Sequence, residues 1–267
     1  MPNRPIGVFD SGVGGVSVLK EIHKQLPNEQ LIYIADSAHA PYGDKDAKTI
    51  RARCRRITQF LLQKNIKALV IACNTATAVA AESLRAEFQQ IEIIGLEPAV
   101  KPAVEQTKTG VIGILATDQT IRSARLAGLI HAYAMDIQVE KQACPGLVEQ
   151  VEAGLFESKQ TQKLLKRYLQ PMLAKGIDTL VLGCTHYPFL LEPISRLTQG
   201  SVTILETSIP VTQQLQRVLS RNTLLCQQTK GQIQFFSSQG ENKKHRESIK
   251  LLCHQNIKVQ ELPALFS

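Results

Sequence analysis

Two apolar runs in this chain stop on a thiol. "ALVIAC" ends at Cys73 and continues as "NTATA"; "DTLVLGC" ends at Cys184 and continues as "THYP". A core strand gains nothing from ending on a thiol, a hydroxyl and an imidazole in a row, as Cys184, Thr185 and His186 do. The nucleophilic form of cysteine is the thiolate, which a helix N-terminus or a cationic neighbour favours. Cys73 directly precedes a helical pattern, and Cys184 has His186 two residues on. The run "PIGVFD" ends on a carboxylate, Asp10. If both sulfurs reach one ligand from opposite sides, one thiolate can take a proton from a carbon while the other thiol gives a proton to the opposite face. Asp10 and His186 are the groups that could refill and empty the two sulfurs.

Such groups must be held by a rigid frame. Short β-branched runs predict strands at 5–10, 31–36, 68–73, 91–96, 110–117, 178–184 and 202–206, with two later ones at 232–236 and 257–262. Helical patterns such as "GGVSVLKEIHKQL", "KTIRARCRRITQFLLQK" and "TATAVAAESLRAEF" lie between them. The main runs lack polar alternation, as strands buried on both faces do. Repeated βα units imply an α/β fold of mostly parallel sheets flanked by helices. Pro171, inside "QTQKLLKRYLQPMLAKG", predicts a kink or break in that helix.

An internal repeat divides the frame in two. "KNIKALVIACNTATA" (64–78) aligns with "KGIDTLVLGCTHYPF" (175–189), pairing Cys73 with Cys184 at an offset of 184 − 73 = 111. "PIGVFDSG" aligns with "VIGILATD", pairing Ile6-Gly7 with Ile112-Gly113 at an offset of 112 − 6 = 106. Two pseudo-symmetric α/β lobes are therefore expected. Residues 1–98 with 208–267 form the first, carrying Asp10 and Cys73. Residues 99–207 form the second, carrying Glu152, Cys184 and His186. Ligands of parallel sheets bind beyond the carboxyl ends of the strands, so the site is expected in the cleft between the lobes.

Composition narrows the function classes. The formal net charge is +8, but the Lys and Arg are scattered along helical patterns, aromatics are 5% and Trp is absent. That is poor material for stacking nucleic acid, and none is expected as a partner. No run of 18 apolar residues predicts a membrane span, and the N-terminal residues show no signal-peptide pattern, so a cytoplasmic location is expected. The six cysteines form no C-x-x-C spacing, and most are expected to be buried and inert. Three alternatives remain open on the residues alone. Cys73, Cys184 and His186 could hold zinc, although a fourth ligand is not evident. The same thiols could form a redox pair. "SGVGG" (11–15) could cradle phosphate, against which stand its spacing and Asp10 at its mouth.

Five motifs taken in order, "GVFDSGVGGVSVL" (7–19), "DSAHAPYG" (36–43), "ACNTATA" (72–78), "CPGLVEQVEAG" (144–154) and "GCTHYP" (183–188), resemble the glutamate racemases of the aspartate/glutamate racemase family. The likeness spans about residues 5–220. It implies a cofactor-independent enzyme that interconverts L- and D-glutamate and supplies D-glutamate for peptidoglycan. It implies that Cys73 takes the α-proton of D-glutamate and Cys184 that of L-glutamate. Asp10 would assist the first cysteine, His186 the second, and Glu152 would be a further acidic helper. Asp10, Ser11, Tyr42, Gly43, Asn74, Thr75, Thr185 and His186 fall on substrate-binding positions. No motif lysine is present, in keeping with independence from pyridoxal phosphate, which needs a Schiff-base amine. The family commonly forms dimers, so a homodimer is an open expectation. Two positions depart from the pattern: Gln119 stands where the family often has glycine, and Glu206-Thr207 where it often has Asp-Ser. The rival readings are a racemase of a related amino acid such as aspartate, and a non-catalytic module that cradles an anion.

Overall fold

The computed structural model describes residues 1–227, 230–240, 243–253 and 258–267, with the side chains of 243–246 and Cys253 outside the description. Ile257, the first residue of the last expected strand, also lies outside the described residues.

The strands are β1 (Ile6–Asp10), β2 (Leu31–Ala35), β3 (Ala68–Ile71), β4 (Glu92–Gly95), β5 (Val111–Ala116), β6 (Gln138–Ala143), β7 (Thr179–Gly183), β8 (Thr203–Leu205), β9 (Ile233–Ser237) and β10 (Val259–Glu261). The helices are α1 (Val16–Gln25), α2 (Ala47–Gln63), α3 (Asn74–Glu87), α4 (Val100–Gln106), α5 (Asp118–Ile121), α6 (Ala124–Tyr133), α7 (Leu147–Glu152), α8 (Lys159–Ala174), α9 (Leu191–Leu197), α10 (Ser208–Arg221) and α11 (Lys243–Cys253).

The strands build two sheets, ordered β10-β9-β2-β1-β3-β4 and β6-β5-β7-β8. Every pairing between them is parallel. Four consecutive strands of one sheet match the other: β2-β1-β3-β4 is the order of β6-β5-β7-β8. The register repeats as well. Ile6 pairs with Ala68 and Ile112 with Thr179; the offsets are 112 − 6 = 106 and 179 − 68 = 111, those of the sequence repeat. Ala68 pairs with Glu92 and Thr179 with Thr203, and 203 − 92 is again 111.

Each sheet is covered by helices on both faces, which explains its unalternating strands. In the first lobe, α1 and α10 pack Val16, Leu19, Leu215 and Leu219 on Val8, Val70 and Tyr33. On the other face α2 and α3 pack Ile50, Ile57, Leu61 and Ala80 on Phe9, Leu69 and Ile71. In the second lobe α8 brings Leu165, Leu169 and Met172 onto Leu180 and Leu182. The opposite face takes Val100, Ala103 and Leu126 against Ile112, Ile114 and Val181.

The structure differs from the sequence reading at two places. The break allowed for at Pro171 does not occur: α8 runs unbroken through it to Ala174. A proline frees the carbonyl four residues earlier, and both Pro171 and Arg167 are exposed, so water can satisfy that group. Strand β6, "QVEKQA", was not anticipated. It is an edge strand with no buried residue, and its polar composition carries none of the signal of a core strand.

Candidate active site

All three strand-end motifs meet where the two lobes face each other. Cys73 closes β3 and caps α3: its Sγ accepts the Ala76 amide at 3.4 Å. A sulfur in this position faces the unsatisfied N–H groups of a helix start. Cys184 follows β7 at the equivalent place in the second lobe. The two cysteines are 4% and 7% exposed, and each sulfur has its own set of polar neighbours.

On the Cys73 side, Sγ lies 3.7 Å from Ser11 Oγ, which lies 3.4 Å from Asp10 Oδ1. Asp10 is fully buried. Its Oδ2 accepts the Gly15 amide at 2.7 Å and the Thr185 hydroxyl at 3.4 Å, so this carboxylate of the first lobe is tied to the Cys184 loop of the second. Burial raises the Asp10 pKa, partly offset by the field of His186 and the Gly15 amide. Burial and the nearby Asp10 carboxylate push the Cys73 thiol well up, and Cys184 adds to the effect.

On the Cys184 side, Sγ lies 3.7 Å from His186 Nδ1, while Nε2 of the same ring lies 2.6 Å from Glu152 Oε1. Burial alone would favour neutral imidazole. The hydrogen bonds and charges of Cys184 and Glu152 win, and raise the His186 pKa well above its ordinary value. Glu152 is the last residue of α7 in the second lobe, yet its Oε1 accepts the Val13 amide of the first lobe at 2.7 Å. Ser37 Oγ approaches its Oε2 at 3.4 Å. The glycines of "SGVGG" make room for this: a Cβ on Gly12 would lie 2.7 Å from Glu152 Cδ, and one on Gly14 equally close to His186 Cε1. The loop is built around a carboxylate and an imidazole, which argues against phosphate. Both ring nitrogens of His186 are occupied, and among the described residues no group of three or more His, Cys, Asp and Glu side chains is disposed to hold a metal.

Other polar side chains follow Cys73 and face the second lobe. The side-chain amide of Asn74 is buried, with neither Nδ2 nor Oδ1 partnered among the described residues. An unpaired buried amide is costly. Thr75 Oγ1 meets Thr117 Oγ1 of the second lobe at 2.8 Å, and Thr117 meets Thr120 at 3.1 Å. Sequence reasoning missed Thr117 and Thr120. The repeat held the signal, because the offset of 106 places Thr117 opposite Ser11.

Tyr42 and Gly43 lie in a 3-10 turn, Tyr42–Asp44. The Tyr42 hydroxyl donates to Asp36 Oδ2 at 2.6 Å. Gly43 is pressed on Thr117, and a Cβ there would lie 2.8 Å from Thr117 Cβ. What this turn offers the cleft is backbone. Two cavities open along the seam outside the sulfurs. One, of about 460 Å³, lies among Pro41, Gly43, Thr117, Gln119, Cys144 and Val148. The other, of about 580 Å³, lies among Ser37, Pro41, Val148, Glu152 and Leu155. Neither is lined by Cys73 or Cys184, both of which are buried.

The pattern of the family described as Asp/Glu/Hydantoin racemase is matched over residues 6–215. This chain belongs to that family. A glutamate racemase of Ectopseudomonas mendocina (strain ymp) is 50% identical over 255 residues, 96% of this chain and 97% of the relative. Among solved structures, the glutamate racemase of Francisella tularensis subsp. tularensis SCHU S4, in complex with D-glutamate, matches with a TM-score of 0.87 at 31% identity, over 99% of each chain. The Escherichia coli glutamate racemase, in complex with L-glutamate and the activator UDP-MurNAc-ala, matches at 0.83 and 30%, over 97% of each. The family is the one the five motifs implied. The departure at Glu206 is a local substitution of caps: its carboxylate accepts the Ser208 amide and hydroxyl, both at 2.7 Å, at the start of α10.

Proposed function

We propose that this protein interconverts L- and D-glutamate by moving protons between the α-carbon and two cysteines on opposite sides of it. The supporting observation is that Cys73 and Cys184 occupy equivalent strand ends of two facing lobes, each with its own proton partner. A close relative is named glutamate racemase, and solved members of the family bind D- or L-glutamate.

The steps balance without any group outside the chain. With L-glutamate, the Cys184 thiolate takes the α-proton, and the C–H electron pair passes into the α-carboxylate as an enediolate. Cys73, whose ionisation burial and Asp10 oppose, is held as a thiol and gives its proton to the opposite face. In the reverse direction Asp10, raised by burial, can accept the proton that Cys73 must first lose, while His186 exchanges a proton with Cys184. The buildup of charge on the α-carboxylate is the hard part of the reaction. The Asn74 amide, the hydroxyls of Ser11, Thr75 and Thr185, and the backbone of Tyr42 and Gly43 are the donors available to meet it. Closure of the lobes removes water and strengthens each of these bonds. The product would serve peptidoglycan synthesis in the cytoplasm, and among the described residues no helix is long and apolar enough to cross a membrane.

Incubation with L-glutamate in heavy water, followed by optical rotation and mass, tests this. Rotation should be lost, and deuterium should appear first in the D-product, because the donating thiol exchanges with solvent while the accepting one holds substrate hydrogen. Cys73→Ala and Cys184→Ala should each abolish turnover. Full turnover in either variant, or equal early labelling of recovered L-glutamate, would refute two-sided transfer. L-Aspartate in the same assay decides the rival substrate.

A further inference from the structure

Gln119 departs from the family pattern, and its side chain does something a glycine there could not. It is the second residue of α5 in the second lobe, and its Nε2 donates to the Lys45 carbonyl of the first lobe at 2.9 Å. Lys45 closes the Tyr42–Asp44 turn, its own amide donating to the Tyr42 carbonyl at 3.2 Å. A hold on the Lys45 carbonyl is therefore a hold on the turn that presents Gly43 to the cleft. The bond lies in the wall of the cavity at the seam, whose lining includes Gly43, Lys45, Thr117 and Gln119.

We propose that Gln119 is a latch on the cleft: its amide fastens the Tyr42–Asp44 turn to α5 and sets how readily the lobes part around Cys73 and Cys184. Other ties across the lobes, Thr75 to Thr117, Glu152 to Val13 and Asp10 to Thr185 among them, involve groups that the proposed reaction uses. Gln119 is a positioning residue that can change without touching them. The two cysteines are almost wholly covered, so any reagent or substrate that reaches them must wait for the seam to open. A bond made across the seam only when the lobes are shut biases that equilibrium towards the shut state. One neutral hydrogen bond is worth a shift of roughly three- to tenfold.

The effect on catalysis rests on the racemase reading; the effect on exposure does not. Carbamidomethylation by iodoacetamide, followed peptide by peptide, should be about three- to tenfold faster at both Cys73 and Cys184 in Gln119→Ala than in the wild type. The variant should keep its melting temperature within a few degrees and raise KM for glutamate by a similar factor, with kcat unchanged or higher. Gln119→Lys, which keeps a donor on a long stem, should restore protection. Wild-type labelling rates in Gln119→Ala, or acceleration at one sulfur alone, would overturn the latch. A wild-type protein that never racemises glutamate would instead sink the reaction, while the labelling rates would still judge the latch.

Discussion

His186 and Glu152 form a charge-assisted pair at the inner end of the cleft, Nε2 to Oε1 at 2.6 Å, and the same oxygen holds the Val13 amide of the facing lobe. One carboxylate thus fixes the protonation of the imidazole beside Cys184 and joins the lobes. Glu152→Gln keeps the shape and the acceptor but removes the charge. His186 should lose protons at lower pH, because its pKa is raised by its bonds and charges with Cys184 and Glu152 against the effect of burial. The alkaline limb of the kcat profile for L-glutamate should move to lower pH. Above that limb the imidazolium fraction falls about tenfold per pH unit. An unmoved limb in a pH–rate series would show that the pair does not govern turnover.

Gly14 faces the imidazole on its Nδ1 side, opposite the Nε2 held by Glu152. Its backbone is not left-handed, so alanine carries no conformational penalty there, and the steric effect falls on His186. The added Cβ would sit 2.7 Å from both Cγ and Cε1, closer than carbon atoms allow, and the ring must move by a sizeable fraction of an ångström. Misplacement on the order of 1 Å can cost roughly 100-fold in rate. Gly14→Ala should lose about that much kcat while melting near the wild type. Gly110→Ala gives the opposite signature. Gly110 has φ +73° with nothing within 4 Å of a built Cβ, so that variant should lose about 1 kcal/mol of stability and keep its kcat. Thermal melts and initial rates on the pair separate site geometry from backbone strain.

The repeat explains how much of this site could be read from the chain. Cys73 and Cys184 were legible because buried parallel strands write themselves as apolar runs, and a thiol at the end of such a run is conspicuous. The register Ile6–Ala68 against Ile112–Thr179 reproduces the two sequence offsets. The contacts across the cleft were less legible. That Glu152 reaches Val13, or that Thr75 meets Thr117, depends on how the lobes are set against each other, and no local pattern encodes it. The bond from the Tyr42 hydroxyl to the buried carboxylate at the next strand end, Asp36, is equally absent from any local pattern. Strand β6 went unseen because an edge strand with no buried residue needs no apolar run.

Asp36 leads to the last prediction. Arg53 of α2 grips it with two bonds, Nε to Oδ2 at 3.0 Å and Nη2 to Oδ1 at 2.7 Å, and also reaches the carbonyls of Phe266 and Ser267. The side chains of both partners are almost fully buried. Burial alone would raise the Asp36 pKa, but hydrogen bonds from His39 and Arg53, with the Arg53 charge, hold it below the ordinary carboxylate value of 3.8. Arg53→Met fills much of the same space and leaves the carboxylate buried without its cation, a change that destabilises by about 3–5 kcal/mol. The pH dependence has a definite sign. A carboxylate whose pKa is lowered by folding stabilises the fold above its unfolded value, and that stabilisation is lost as pH falls through the folded one. The stability gap between wild type and Arg53→Met should therefore be widest at pH 7 and shrink on acidification, first as the variant's Asp36, raised by burial without its cation, takes a proton, and further as pH falls through the lowered wild-type value. Urea unfolding at both ends of that range measures it. Because Asp36 also anchors the Tyr42 hydroxyl, KM for glutamate should rise in the variant even where it remains folded. A gap that stays constant from pH 7 down to pH 3 would mean that Arg53 contributes by packing its stem rather than by holding this carboxylate charged.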